Sequence, residues 1–249
     1  KDDDEDYRAF VLNTEDDINQ FLDAFGISPT ETNRLIETEA IVPEVQEKLK
    51  IDEFISNLTV DFPTSEEMSA AARQIQNDVH DHNEYIRTDP DSKLLAWTDF
   101  EFKLFRALEY ARYGELITHG CASVEEFINT ANTILNRRKS RAGKSLENHL
   151  AAIFDGNNIQ YSAQAITEEH KKPDFLFPSK EAYHNPTFSV DKLVSLAAKT
   201  TCKDRWRQVI TEANRLRGRE KYLCTLQQGI SAAQMDEMQA EGVVLVVPR

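Results

Sequence analysis

Two stretches decide how the C-terminal half of this chain is read: Lys172-Pro173-Asp174-Phe175-Leu176-Phe177 (172–177) and Leu193-Val194-Ser195-Leu196-Ala197-Ala198-Lys199-Thr200-Thr201 (193–201). The first is short and apolar after a proline, and the second is a longer run of small and aliphatic residues; both read as strands. If they are neighbours, Asp174 and Lys199 meet at one place. Side chains alternate along a strand, so Lys199 shares its face with Ala197 rather than Ala198. Upstream, Ile159, Tyr161, Ala163 and Ala165 alternate with polar residues as a further strand. Downstream comes a helix from about Lys203 to Leu216 with Trp206, Val209, Ile210, Ala213 and Leu216 inward. A strand follows over Tyr222 to Leu226, then a short helix capped by Ser231 and Gln234, then a strand over Val243 to Val247. Antiparallel strands thus lead into a parallel crossover. The expected class is α/β, with a mixed central β-sheet flanked by helices.

Helices precede the strands. Ser123 with Glu126 and Thr98 with Glu101 each have the spacing of a capping box. Trp97, Phe100, Leu104, Leu108 and Ala111 repeat at helical spacing after the second, and Val124, Phe127, Ile128, Ala131, Ile134 and Leu135 after the first; both stripes read as core. Gly143 precedes a third helix with Leu146, Leu150, Ile153 and Phe154 on one side, closing at Asp155-Gly156.

At 249 residues, 40% hydrophobic and 29% charged, the chain suits a large globular domain or a domain with an appendage. It has no run of about 18 apolar residues, so a membrane protein is excluded. Its KDDDED start is the reverse of a secretory signal, so a cytoplasmic location is expected. Cys121, Cys202 and Cys224 are odd in number and lack CxxC spacing, against both a disulfide framework and a zinc site. The net charge of -14 argues against a polyanionic partner only until its distribution is seen. Residues 1–60 hold 16 acids and 5 bases, a net of -11, leaving -3 for the remainder. Within that remainder, Arg137, Arg138, Lys139, Arg141 and Lys144 have no acid among them, and residues 199–221 are rich in lysine and arginine. Two basic segments on an acidic chain suggest a localised anion-binding face. Residues 1–64 read as an acidic N-terminal appendage or linker, or the end of a preceding domain, and residues 65–249 as the functional domain.

Asp174, Lys199 and one further carboxylate would suffice for metal-assisted phosphoryl chemistry. Two carboxylates hold Mg²⁺, which keeps several waters and meets a substrate phosphate, while a lysine supplies fixed positive charge. Where a nuclease carries Pro-Asp followed by Glu-any-Lys, the position of Ala197 would hold the second acid; here it is empty. Glu212, at the margin of the apolar stripe on the following helix, can replace it, sharing that margin with Arg205. His80 and His82 flank Asp81 without further ligands nearby and read as a polar loop rather than a metal pair.

The assembly resembles the PD-(D/E)XK nucleases, and in detail the EcoRII-like type II restriction endonucleases. The resemblance rests on residues 138–147 (RKSRAGKSLE), Lys172-Pro173-Asp174-Phe175, residues 199–208 (KTTCKDRWRQ) and Glu212, and covers roughly residues 65–249. It implies a restriction-endonuclease-like core, a homodimer, Mg²⁺ dependence and double-stranded DNA of CCWGG or CCNGG type as substrate. It also implies an effector-binding domain ahead of the catalytic domain in a longer parent chain, where a second, effector DNA copy would bind, with residues 1–64 the linker to that domain or its end. Asp174 and Glu212 would be metal ligands and Lys199 the catalytic lysine, with Glu147 an extra carboxylate and Tyr183 a further active-site residue. Lys203, Arg205 and Arg207 suit the acceptors of guanine in the major groove; Arg137, Arg138, Arg141 and Lys144 suit phosphates. A repair or recombination nuclease on the same core, and a catalytically inactive DNA-binding protein, are the alternatives.

Overall fold

The computed structural model describes residues 43–80, 84–200, 202, 205–226 and 230–249. Contacts divide the chain into a unit of residues 1–46 and a unit of residues 47–249. Of the first, only the start of helix α1 (Pro43–Asn57) is described. Residues 47–64, read from sequence with the acidic segment, belong to the second unit, where Ile51, Phe54 and Phe62 join a helical core with Met68, Leu104 and Leu108.

That core is built from α1, α2 (Ser65–His80) and α4 (Pro90–His119), with the short α3 (Tyr85–Thr88) between the last two. Asp89 caps α4, its carboxylate accepting from the Ser92 N–H, and Pro90 fills the first turn where no N–H is needed. Thr98 is therefore not a cap. It lies inside α4 and donates to the Leu94 carbonyl at 2.8 Å, while Glu101, expected to complete a capping box, is buried. Its capping signature is reproduced inside a helix because i to i+3 spacing is also helix-surface spacing.

Helix α5 (Val124–Gly156) starts where the sequence indicates: Ser123 Oγ accepts from the Glu126 N–H at 3.1 Å and the Glu126 carboxylate accepts from the Ala122 N–H at 2.6 Å. It runs unbroken through Gly143, which was expected to precede a separate helix; the glycine site is open, with no atom near where a Cβ would stand. No residue of α5 before Arg141 is buried. The stripe expected to be core is instead largely outward, with Val124 68%, Phe127 61%, Ile128 49% and Leu135 49% exposed. His80 ends α2 and pairs with Glu47 at 2.7 Å; His82 lies outside the described residues.

The sheet carries β1 (Ser162–Ala163), β2 (Phe175–Phe177), β3 (Val194–Ala198), β4 (Lys221–Cys224) and β5 (Val243–Val246), ordered as in the chain. β1, β2 and β3 are antiparallel, and β3, β4 and β5 parallel, as the sequence order implied. One face, with Phe175, Leu196, Ala198 and Cys224, packs on Trp97 of α4 and on Leu146, Leu150 and Ile153 of α5. The opposite face sets Ala197, Leu223 and Val243 against Trp206 and Val209 of α7 (Trp206–Thr211) and Met238 of α8 (Ala232–Ala240). α6 (Lys180–His184) covers the Leu176 face of β2 through Tyr183, which packs with Leu176, Leu193 and Leu216. The helix expected to reach Leu216 stops at Thr211. Glu212 turns to extended backbone (φ -76°, ψ 152°), Ala213 enters the left-handed region (φ 49°), and a 3₁₀ turn covers Asn214–Leu216. Cys202 and Cys224 are buried, Cys121 is partly exposed, and none of the three is in a disulfide.

Candidate active site

Pairing of β2 with β3 puts Phe175 opposite Leu196, so Asp174, just before β2, stands beside the end of β3. Its side chain is spent there. Oδ2 accepts from the Ala198 N–H at 2.7 Å and from Lys199 Nζ at 2.6 Å, while Oδ1 accepts from Gln164 Nε2 at 2.9 Å. Asp174 is 4% exposed, so an unpaired charge would be costly; the lysine and the two N–H donors make it tenable. Gln164 Nε2 also reaches Glu147 Oε2 at 2.9 Å, and Lys144 Nζ lies 2.8 Å from the same oxygen. One amide thus ties α5 to Asp174. Gln164 holds φ 51°, a sparsely populated conformation for a side-chain-bearing residue, and its N–H donates to the Asp174 carbonyl at 3.0 Å.

Glu212 faces this group from the end of α7. Burial pushes its carboxyl up to about 7 and the nearby Asp174 carboxylate adds to the rise, while Lys199, Lys221 and Lys171 pull it down. Its Oε2 is buried with no hydrogen-bond partner. Such an orphaned oxygen next to an acid and a lysine is what remains when a cation's ligand is seen without the cation. No group of three or more His, Cys, Asp or Glu side chains placed to hold a metal ion occurs among the described residues. Mg²⁺ does not need one: it is commonly held by one or two carboxylates, waters and substrate phosphate, so Asp174 and Glu212 fit it as donors.

The backbone that carries Glu212 is fastened from beneath. Lys221, the first residue of β4, is 4% exposed, and its ammonium donates to the Ile210 carbonyl at 2.7 Å and to the Glu212 carbonyl. Cationic charge at a helix C-terminus is favourable, and here it stops α7 where the acid must turn. On the other side, Glu168 Oε2 accepts from Tyr183 Oη at 2.6 Å and from the Asn214 N–H at 3.1 Å, and Tyr183 Oη accepts from the Arg215 N–H at 3.1 Å. Tyr183 is 1% exposed, and burial with the Glu168 carboxylate beside it drives its hydroxyl pKa upward. Its hydroxyl is engaged in holding the turn after Glu212. Gln164, Glu168 and Lys221 were not singled out by sequence. Gln164 had a faint signal, as the polar residue between Ala163 and Ala165 in an alternating run; Lys221, a cation two residues before the buried Leu223, had another.

The basic residues divide. Arg205 is exposed at the start of α7, and Arg207 is exposed but pairs with Glu237 at 3.2 Å and lies over Trp206. Lys203 lies outside the described residues. Arg137 lies over the Phe62 ring and donates to Tyr113 Oη, and Arg138 makes a two-pronged pair with Glu109 at 2.8 and 2.5 Å. Arg141 departs from its expected phosphate contact: it is 7% exposed, ion-paired to Glu101 and set over Phe105. Glu101 also meets Ser145 Oγ at 2.9 Å and His149 Nε2 at 3.0 Å, so Arg141 serves a polar cluster between α4 and α5. For Arg141 the phosphate reading fails because exposure cannot be read from a charge run alone.

The mixed sheet and its flanking helices are those of a restriction endonuclease. Solved structures with the same fold include metal-depleted Ecl18kI in complex with uncleaved, modified DNA (TM-score 0.60, 23% identity, 82% of this chain and 74% of that one) and a restriction endonuclease PspGI–substrate DNA complex (TM-score 0.61, 16% identity, 75% and 77%). The EcoRII C-terminal family matches residues 105–249, and the chain belongs to it. It is 47% identical over 190 residues to the type II restriction enzyme EcoRII of Escherichia coli, spanning 75% of this chain and 44% of that protein. It is 31% identical over 117 residues to the type II restriction enzyme SsoII of Shigella sonnei, spanning 44% and 37%. The chain therefore spans less than half the length of these relatives. No described helix is long and apolar enough to cross a membrane.

Proposed function

We propose that the chain is the catalytic part of a type II restriction endonuclease. It hydrolyses double-stranded DNA in the cytoplasm with Mg²⁺, at a CCWGG or CCNGG site, as a homodimer. The observation that carries this reading is the convergence of Asp174, Lys199 and Glu212, with the Glu212 Oε2 buried and unpartnered. Asp174 and Glu212 would hold the metal. The bound metal supplies a water of lowered pKa and offsets charge on the phosphorus centre. Lys199, whose ammonium neutralises Asp174, stands ready to compensate charge on the attacked phosphate. Glu147, tied to Asp174 through Gln164, holds Lys144 and orients the amide. Arg205, with Lys203 and Arg207, reads guanine edges, while Arg137, Arg138 and Lys144 contact phosphates once their carboxylate or aromatic neighbours release them. Tyr183 supports the Glu212 turn. A longer parent chain would bind the second, effector DNA through a domain ahead of this one.

Incubation with a plasmid of known sequence and Mg²⁺ tests the reading. Discrete fragments with ends at CC(N)GG sites, abolished by Asp174→Ala, are expected. A smear would favour a repair or recombination nuclease. Binding without cleavage under any divalent cation would favour an inactive DNA-binding protein.

A further inference from the structure

Gln164 grips Asp174 twice. The β1–β2 pairing sets Ala163 opposite Phe175, so Gln164 comes opposite Asp174 one step further on. Its backbone N–H donates to the Asp174 carbonyl at 3.0 Å, and its side-chain Nε2 donates to Asp174 Oδ1 at 2.9 Å. The other amide hydrogen goes to Glu147 Oε2, also at 2.9 Å. Both neighbours are carboxylates, which when ionised only accept, so the NH₂ end must face them and the amide has one orientation. Lys144, 2.8 Å from Glu147, neutralises the outer acid. The residue that makes these contacts stands at φ 51°, where glycine and asparagine are the usual occupants, so a glutamine there carries a backbone strain.

An ionised carboxylate has about four lone-pair positions. In Asp174 both positions on Oδ2 are filled, by the Ala198 N–H and the Lys199 ammonium, and one on Oδ1 is filled by Gln164. The fourth, also on Oδ1, has no donor among the described residues. We infer that Gln164 is a positioning residue for metal-assisted cleavage: its amide fixes the rotation of the Asp174 carboxylate and leaves that last lone pair for the cation. This rests on the metal role proposed above for Asp174 and names what holds that ligand still. The terminal torsion of an aspartate is broad, so a carboxylate oxygen without an anchor is poorly placed. A lysine or arginine could anchor it too, but each would bring a charge that repels the cation. A neutral amide holds the oxygen and leaves its charge intact.

Mn²⁺ takes the same oxygen ligands as Mg²⁺, and its uptake by the full chain can be followed from loss of the free-ion paramagnetic resonance signal. Wild type is expected to show a component of Mn²⁺ binding that Asp174→Ala abolishes. Two variants lack the amide: Gln164→Gly relieves the strained backbone, and Gln164→Met keeps it. Metal-free melting temperatures are expected to hold or rise for the first and to fall for the second. Both variants should nonetheless bind Mn²⁺ at least tenfold more weakly than wild type. Both should also cut DNA at least tenfold more slowly in a single turnover at saturating duplex, with metal-free DNA affinity within twofold of wild type. A loss confined to Gln164→Met, following the melting temperature, would assign Gln164 to the fold of its loop and overturn the positioning role. Mn²⁺ binding by Gln164→Gly within twofold of wild type would overturn it as well, leaving the metal role of Asp174 standing. A wild type that takes up no more Mn²⁺ than Asp174→Ala overturns that metal role itself, and the positioning role with it.

Discussion

Glu212 carries an unusual burden for one residue: it is partly buried, and its Oε2 is shielded from solvent without a donor. Its folded pKa, raised to about 7 by burial, exceeds the unfolded value of about 4.3. The folded state then binds the extra proton between those values. Ionisation therefore opposes folding, and the group's contribution to stability falls as pH rises from about 4.5 through 7. Glu212→Gln removes that dependence. In metal-free thermal melts the variant is expected to gain stability relative to wild type on going from pH 5 to pH 8, while cleavage drops about 10²-fold or more. A constant difference in melting temperature across that range would contradict the assignment. Lys221→Met leaves the Ile210 and Glu212 carbonyls without their donor, a loss of about 1–3 kcal/mol in denaturant unfolding. It should also lower the cleavage rate at saturating DNA more than it weakens DNA binding, because the turn it fastens carries the proposed metal ligand Glu212 and none of the residues proposed to read bases.

At the scale of elements, caps separate what a sequence can fix locally from what it cannot. Ser123 is a true cap, and Ser123→Ala is expected to cost about 1 kcal/mol in chemical unfolding. Thr98→Val, which removes only a hydroxyl donating within the helix, should change stability by about 0.5 kcal/mol or less. The two sites share a sequence signature; the Asp89 cap with Pro90, nine residues before Thr98, is what displaces the second. The strands were legible because proline, alternation and apolar runs are local, and the Asp174–Lys199 meeting followed from strand adjacency. The break at Glu212 was not, because the apolar stripe of α7 continues in phase through Ala213 and Leu216, both buried although the helix has ended. Tertiary donors and acceptors from Lys221 and Glu168 end that helix, and no local pattern announces them. Glu212 lies near Asp174 and Lys199, but the helical argument that put it there does not hold. It arrives there in extended backbone.

The charge of the whole molecule is divided more finely than composition suggested, since several cations of the basic segments neutralise acids inside the fold. Arg141→Ala removes one partner of a buried pair and is expected to cost about 3–5 kcal/mol of stability. It should leave the slope of DNA affinity against salt unchanged, whereas Arg205→Ala should cost about 1–3 kcal/mol on cognate DNA alone and relax discrimination at its base pair. Filter-binding isotherms at several salt concentrations separate the two. The sheet adds a consequence in time. Its strands lie side by side in the order in which they are synthesised, so no later strand has to wedge between earlier ones. A chain leaving the ribosome can join Asp174 to Lys199 soon after β3 has emerged, but the Glu212 carbonyl waits for its ammonium donor until Lys221 follows. If the chain cuts DNA as proposed, the site assembled in this order is complete only when most of the sheet has been made.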